Sequence, residues 1–130
     1  MDTRKYMEIN KVLMVDDDQS IRRICQVSLS NVGRWQVILA ESGYDGLELA
    51  RKEKPDVILL DVMMPGMDGP TTLLKLREDE ELKHIPVILM TAKVQPQEVE
   101  QYTRLGATGV ISKPFDPLTL PSEIRKLLCA

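Results

Sequence analysis

The chain has 130 residues, 43% hydrophobic and 28% charged, the size and composition of one globular domain with a full core. Seventeen basic residues against twenty acidic ones give a formal charge of -3, so direct nucleic-acid binding is a poor expectation. Two cysteines exclude a disulfide scaffold, the opening MDTRKYMEINK is too polar for a signal peptide, and no apolar run approaches the roughly 18 residues that enter a membrane. The expectation is a cytoplasmic domain with Cys25 and Cys129 as free, buried or semi-buried thiols.

Residues 1–10 read as a polar lead-in and 11–130 as the domain. Val12 to Val15 is an apolar run that stops at Asp16, Asp17 and Asp18. Ile21, Ile24, Cys25, Val27 and Leu29 then follow at helical spacing, with Asp18 or Ser20 as the cap. Asn31 to Arg34 is a turn and Trp35 to Ala40 a short strand. Tyr44 to Lys52 reads as a helix that tolerates Gly46. A second apolar run, Val57 to Leu60, ends in Asp61, and Met63 to Gly69 is a loop by its Pro and Gly content.

A helix from about Pro70 to Glu78 precedes a charged stretch, Arg77 to His84, read as a solvated connection. Pro86 to Met90 is a strand closed by Thr91, and Pro96 to Leu105 a helix followed by a turn from Gly106 to Gly109. Val110 and Ile111 form a short strand running into Ser112, Lys113 and Pro114, and Pro117 starts a last helix that reaches Leu128. Five strands alternate with five helices, and three strands are continuous apolar runs. That is the pattern of a parallel sheet covered on both faces, a doubly wound α/β sandwich.

In such a sheet the polar residues at the carboxyl ends of the strands converge on one rim. Here those residues are Asp16, Asp17, Asp61, Thr91 and Lys113. Taken singly each has a bland explanation: a turn, a solvated strand terminus, a β-favouring residue, a surface lysine. Together they form a kit. Clustered carboxylates repel and want a cation between them. With a single histidine, His84, and no Cys/His ligand set, that cation is hard, and Mg²⁺ fits. Lys113 and Thr91 suit the equatorial oxygens of a phosphoryl group, and one carboxylate could carry that group as an acyl phosphate. Other chemistries fail: there is no GxxxxGK(S/T) phosphate loop, no dinucleotide fingerprint after the first strand, and no Ser-His-Asp or Cys-His arrangement.

The stretches Val12-Leu13-Met14-Val15-Asp16-Asp17-Asp18, Pro55 to Gly69, Ile88-Leu89-Met90-Thr91-Ala92 and Gly106 to Phe115 resemble, in this order and spacing, the receiver domain of two-component response regulators. The resemblance implies a flavodoxin-like (βα)5 sandwich with strand order 2-1-3-4-5. It also implies that Asp61 is the phosphoacceptor, taking its phosphoryl group from a sensor histidine kinase or a histidine phosphotransfer protein. Asp16, Asp17, Asp61 and the backbone carbonyl of Met63 would hold Mg²⁺. Lys113 would pair with the phosphoryl group, Thr91 would hydrogen-bond it, and the Lys113–Pro114 bond would be cis. Output would pass through the surface of helix four, strand five and helix five to an unknown protein target. The domain would be a monomer or weak homodimer, no dedicated enzyme, catalysing its own phosphorylation and slow dephosphorylation.

One departure stands out: Val110 occupies a position where family members commonly carry Tyr or Phe. The chemistry is expected to survive that change, while the conformational readout is open. Long side chains at Met63 and Lys93 would shield the phosphoryl group and slow its hydrolysis. A degenerate, phosphorylation-independent binding module is the alternative. A small Mg²⁺-dependent phosphatase is disfavoured, because the second carboxylate such enzymes need two residues past the nucleophile is here Met63. Because the chain stops soon after the last helix, a stand-alone receiver is the simpler expectation and a piece of a longer regulator or hybrid kinase the other.

Overall fold

A computed structural model describes residues 9–129. Residues 1–8, most of the polar lead-in, and Ala130 lie outside the described residues. The elements alternate as β1 (Lys11–Val15), α1 (Gln19–Val27), β2 (Gln36–Ala40), α2 (Gly43–Glu53), β3 (Val57–Asp61), α3 (Gly69–Glu78), β4 (Val87–Thr91), α4 (Pro96–Arg104), β5 (Gly109–Ser112) and α5 (Leu120–Cys129). All five strands are parallel, in the order β2-β1-β3-β4-β5. The three continuous apolar runs are the three interior strands, as burial on both faces requires.

Alternation along each strand divides the core in two. Leu13, Val15, Ile58, Leu60, Val87 and Leu89 meet Leu47, Ala50, Leu73 and Leu76 of α2 and α3. Val12, Met14, Val57, Leu59, Ile88 and Met90 meet Cys25, Leu29, Leu120 and Ile124 on the other face. Asp18, Ser42 and Asp68 cap α1, α2 and α3 by accepting backbone N–H bonds, so each helix starts at a fixed place after its strand. No helix among the described residues is long and apolar enough to cross a membrane.

Four local expectations are corrected. The turn at Asn31 to Arg34 is in part helical: Ser28–Val32 forms a π-helical turn that prolongs α1, closed by Gly33 donating to the Ser28 carbonyl. The last helix starts at Leu120, not Pro117, because Asp116 gathers the N–H groups of Leu118, Thr119 and Leu120 into a preceding turn. The stretch from Arg77 to His84 is not merely solvated. Leu82 is buried in the core beside Ile85, and the half-buried Arg77 guanidinium donates to the carbonyls of Lys83, Ile85 and Gly106. Cys25 is buried, but Cys129, the last residue of α5, is exposed.

Candidate functional site

Strand pairing builds the rim residue by residue. Val15 pairs with Leu60, which brings Asp16 alongside Asp61, and the ladder continues beyond the strands. Asp16 N–H donates to Ala40, Val62 N–H to Met90, and Lys113 N–H to Thr91. The backbone is therefore fixed where the polar side chains begin. Asp16, Asp61 and Thr91 are 0%, 6% and 7% exposed, while Asp17 lies open to solvent.

Oxygens of Asp16, Asp17 and Asp61 lie within 4.8 Å of one another. Lys113 Nζ donates to Asp61 Oδ1 at 2.7 Å and to Asp16 Oδ2 at 2.9 Å. Asp16 Oδ1 also accepts the Asp18 N–H at 2.9 Å, and the Asp16 carbonyl accepts from Arg22 at 2.7 Å. Burial raises the Asp61 carboxyl above its ordinary value; the Lys113 hydrogen bond opposes this, and the charges of Asp16 and Asp17 add to it. Burial alone would lower Lys113, but its bonds to Asp61 and Asp16 outweigh that and raise it. Buried carboxylates are thus held against their own repulsion by one ammonium.

Thr91 Oγ1 accepts the Lys93 N–H at 3.1 Å, which leaves the hydroxyl proton free to donate elsewhere. Met63 is 81% exposed, so its side chain lies at the solvent side of the site, and no hydrogen bond among the described residues uses its carbonyl. The Lys113–Pro114 bond is cis. Gly69 lets the loop after β3 close: a Cβ there would stand 2.8 Å from Val62 Cα and against the Asp61 carbonyl.

All six candidate residues line one cleft of about 570 Å³, with Asp17, Met63 and Lys93 at its exposed side. Hard oxygen donors in this number fit a small divalent cation, with solvent completing its shell through the open side. Tyr102 of α4 also lines the cleft. In the sequence its only signal is its spacing from Val99 and Leu105, which puts it on the sheet-facing side of the helix. Val110 is half-buried beside Leu89.

The fold and this rim define a doubly wound domain whose ligand site is an acidic pocket at the carboxyl edge of the sheet. The chain belongs to the response regulator receiver domain family, whose model matches residues 12–125. It is 40% identical over 118 residues to Protein PilH of Pseudomonas aeruginosa, covering 91% of this chain and 97% of that protein. To the chemotaxis protein CheY-3 of Vibrio cholerae it is 36% identical, covering 90% of each. It spans about half the length of "Probable transcriptional regulator ycf27" of Cyanophora paradoxa, at 40% identity over 94% of this chain. The solved structure of the chemotaxis response regulator CheY4 of Vibrio cholerae superposes with a TM-score of 0.85 at 34% identity, covering 92% of this chain and 99% of that one.

Proposed function

We propose that this receiver domain accepts a phosphoryl group on Asp61 from a phosphohistidine of a sensor kinase or phosphotransfer protein. The observation that carries this is the placement of Lys113 Nζ between Asp61 and Asp16, in the same cleft as Asp17 and Thr91. An Asp61 carboxylate oxygen attacks phosphorus, the phosphorus–nitrogen bond breaks, and its electron pair returns to the imidazole ring. Lys113 exchanges a carboxylate oxygen for a phosphoryl oxygen, and the free Thr91 proton donates to another.

Asp16, Asp17, Asp61 and the Met63 carbonyl are the residues that would hold Mg²⁺, which supplies positive charge to the carboxylates and the phosphoryl oxygens alike. Water later attacks phosphorus, the bond from phosphorus to the Asp61 oxygen breaks, and inorganic phosphate leaves the regenerated carboxylate. Exposed Met63 and Lys93 flank that approach and retard it. Output passes through α4, β5 and α5 to a protein target.

The test is intact mass after incubation with Mg²⁺ and acetyl phosphate. A gain of about 80 Da, one phosphoryl group, is expected in the wild type and not without Mg²⁺ or in Asp61→Asn. A folded protein that gains nothing with the donor in excess refutes the reading.

A further inference from the structure

Among the five helices α4 is held differently from the rest. None of its residues is fully buried, and its N-cap, Gln95, makes no side-chain capping bond, unlike Asp18, Ser42 and Asp68. Its far end is pinned. The Tyr102 carbonyl accepts the N–H groups of Leu105 and Ala107, and Arg77 donates twice to the Gly106 carbonyl, at 3.0 and 2.8 Å. Gly106 itself has φ +108°, and a Cβ there would stand 2.9 Å from Arg77 Nε. A helix secured at one end and uncapped at the other can pivot about the secured end.

The half-buried Tyr102 side chain packs against the α2–α3 core and lines two adjoining spaces. One is the acidic cleft, shared with Thr91 and Lys93; the other is a groove of about 640 Å³ lined by Met64 and Pro65. Val62 and Met63 border both spaces with it. Among the described residues no hydrogen bond holds the Tyr102 hydroxyl. The ring is thus a rigid wall with open volume on either side. On β5, Val110 offers only a short, β-branched side chain with little rotamer freedom.

We propose that Tyr102 is the positioning residue through which the filling of the Asp61 cleft is passed to α4. A phosphoryl group entering the cleft draws on Thr91 and Lys113 and changes what the ring packs against. Because Tyr102 sits in the last turn, beside the secured end, a shift of the ring between cleft and groove tilts α4 about that end and displaces its uncapped first turn most. This rests on the phosphoacceptor reading of the cleft.

Hydrogen exchange of the peptide covering α4 tests it on the full chain, with and without Mg²⁺ and acetyl phosphate, intact mass being recorded in parallel. In the wild type and in Tyr102→Phe, phosphorylation is expected to change exchange across the first turn of α4 about threefold or more. Tyr102→Ala is expected to gain the same mass and to lose most of that response. Tyr102→Leu, which keeps apolar packing without the planar ring, is expected to behave like Tyr102→Ala and decides the matter if the alanine variant does not fold. A full α4 response in the alanine or leucine variant overturns the proposal, as does a phosphorylated wild type whose α4 does not respond. A wild type that gains no mass fails earlier, refuting the phosphoacceptor reading and this inference with it.

Discussion

Replacing Lys113 with Met removes the one ammonium that lies between Asp16 and Asp61 while keeping the length of the side chain. The side chains of Asp16 and Asp61 are 1% and 8% exposed, so two carboxylates would face each other with little water to screen them. At an effective dielectric constant of about 20, Coulomb's law gives about 6 kcal/mol for each contact at the observed 2.7 and 2.9 Å. Desolvation of the ammonium offsets much of this in the wild type. Removing one member of a buried pair costs about 3–5 kcal/mol, and because Lys113 keeps 21% of its side chain in solvent the lower end applies, about 3 kcal/mol. Urea unfolding in EDTA at neutral pH measures it. The deficit should shrink on adding Mg²⁺, which restores a cation to the cleft, and in an Asp61→Asn background, where one of the two charges is gone. It should also fade in acid as the carboxylates protonate. A deficit below about 0.5 kcal/mol in EDTA would refute the picture of a strained carboxylate pair, since a surface lysine is worth no more than that.

Asp61→Asn should itself raise stability in EDTA. The folded protein raises the Asp61 carboxyl, so its stabilising contribution is present when protonated and is lost as pH rises through the raised value. The melting-temperature advantage of the variant should therefore grow from acid to neutral pH, and an advantage that is flat across that range would contradict the assignment. Lys113 has the same sign at the other end of the scale: stability it confers should be lost only above the ordinary lysine value, which an alkaline titration of the wild type against Lys113→Met checks. Gly69→Ala forces backbone against backbone at the Asp61 carbonyl and Val62 Cα, and should cost about 1–3 kcal/mol in denaturant midpoint analysis while slowing phosphorylation. Burial, reinforced by Asp16 and opposed by Lys113, pushes the Cys25 thiol up to about 12, so a thiol reagent at pH 8 should label Cys129 alone until denaturant is added. Rapid native labelling of both would show that the α1 face of the core opens readily.

The rim was legible in the sequence because its signal is an abrupt one. Val12 to Val15 and Val57 to Leu60 are wholly apolar, and a carboxylate directly after each can only stand at the strand's end. Parallel pairing then brings both to the same edge. The connection from Arg77 to His84 was illegible for the opposite reason. Its charges dominate any window, while Leu82 and Ile85 are single apolar residues whose burial depends on where β4 and α3 place them. Arg77 reads as a surface cation until the carbonyls of Lys83, Ile85 and Gly106 are brought around it, and these come from two separate loops. Tyr102 gave only helical spacing. Its place in the wall of the cleft follows from the packing of α4 beside β5, which periodicity does not encode. The π-helical turn after α1 likewise has no local marker, since Ser28 is held by the distant Pro117 carbonyl.

Strain and looseness are distributed unequally around the site, and on the phosphoacceptor reading that distribution decides which elements would answer a change at Asp61. Asp16 directly follows β1 and Asp61 ends β3, interior strands whose residues are almost completely buried, so the repulsion between them cannot relax by moving the backbone. It is balanced instead by Lys113, which follows β5, an edge strand and the shortest in the sheet. Beside that edge lies α4, with no residue fully buried. A new charge on Asp61, on the phosphoacceptor reading, would bear first on Lys113, which already contacts that carboxylate, and on α4, the helix beside the cleft with no fully buried residue. The direction of the response is set by which elements are able to yield.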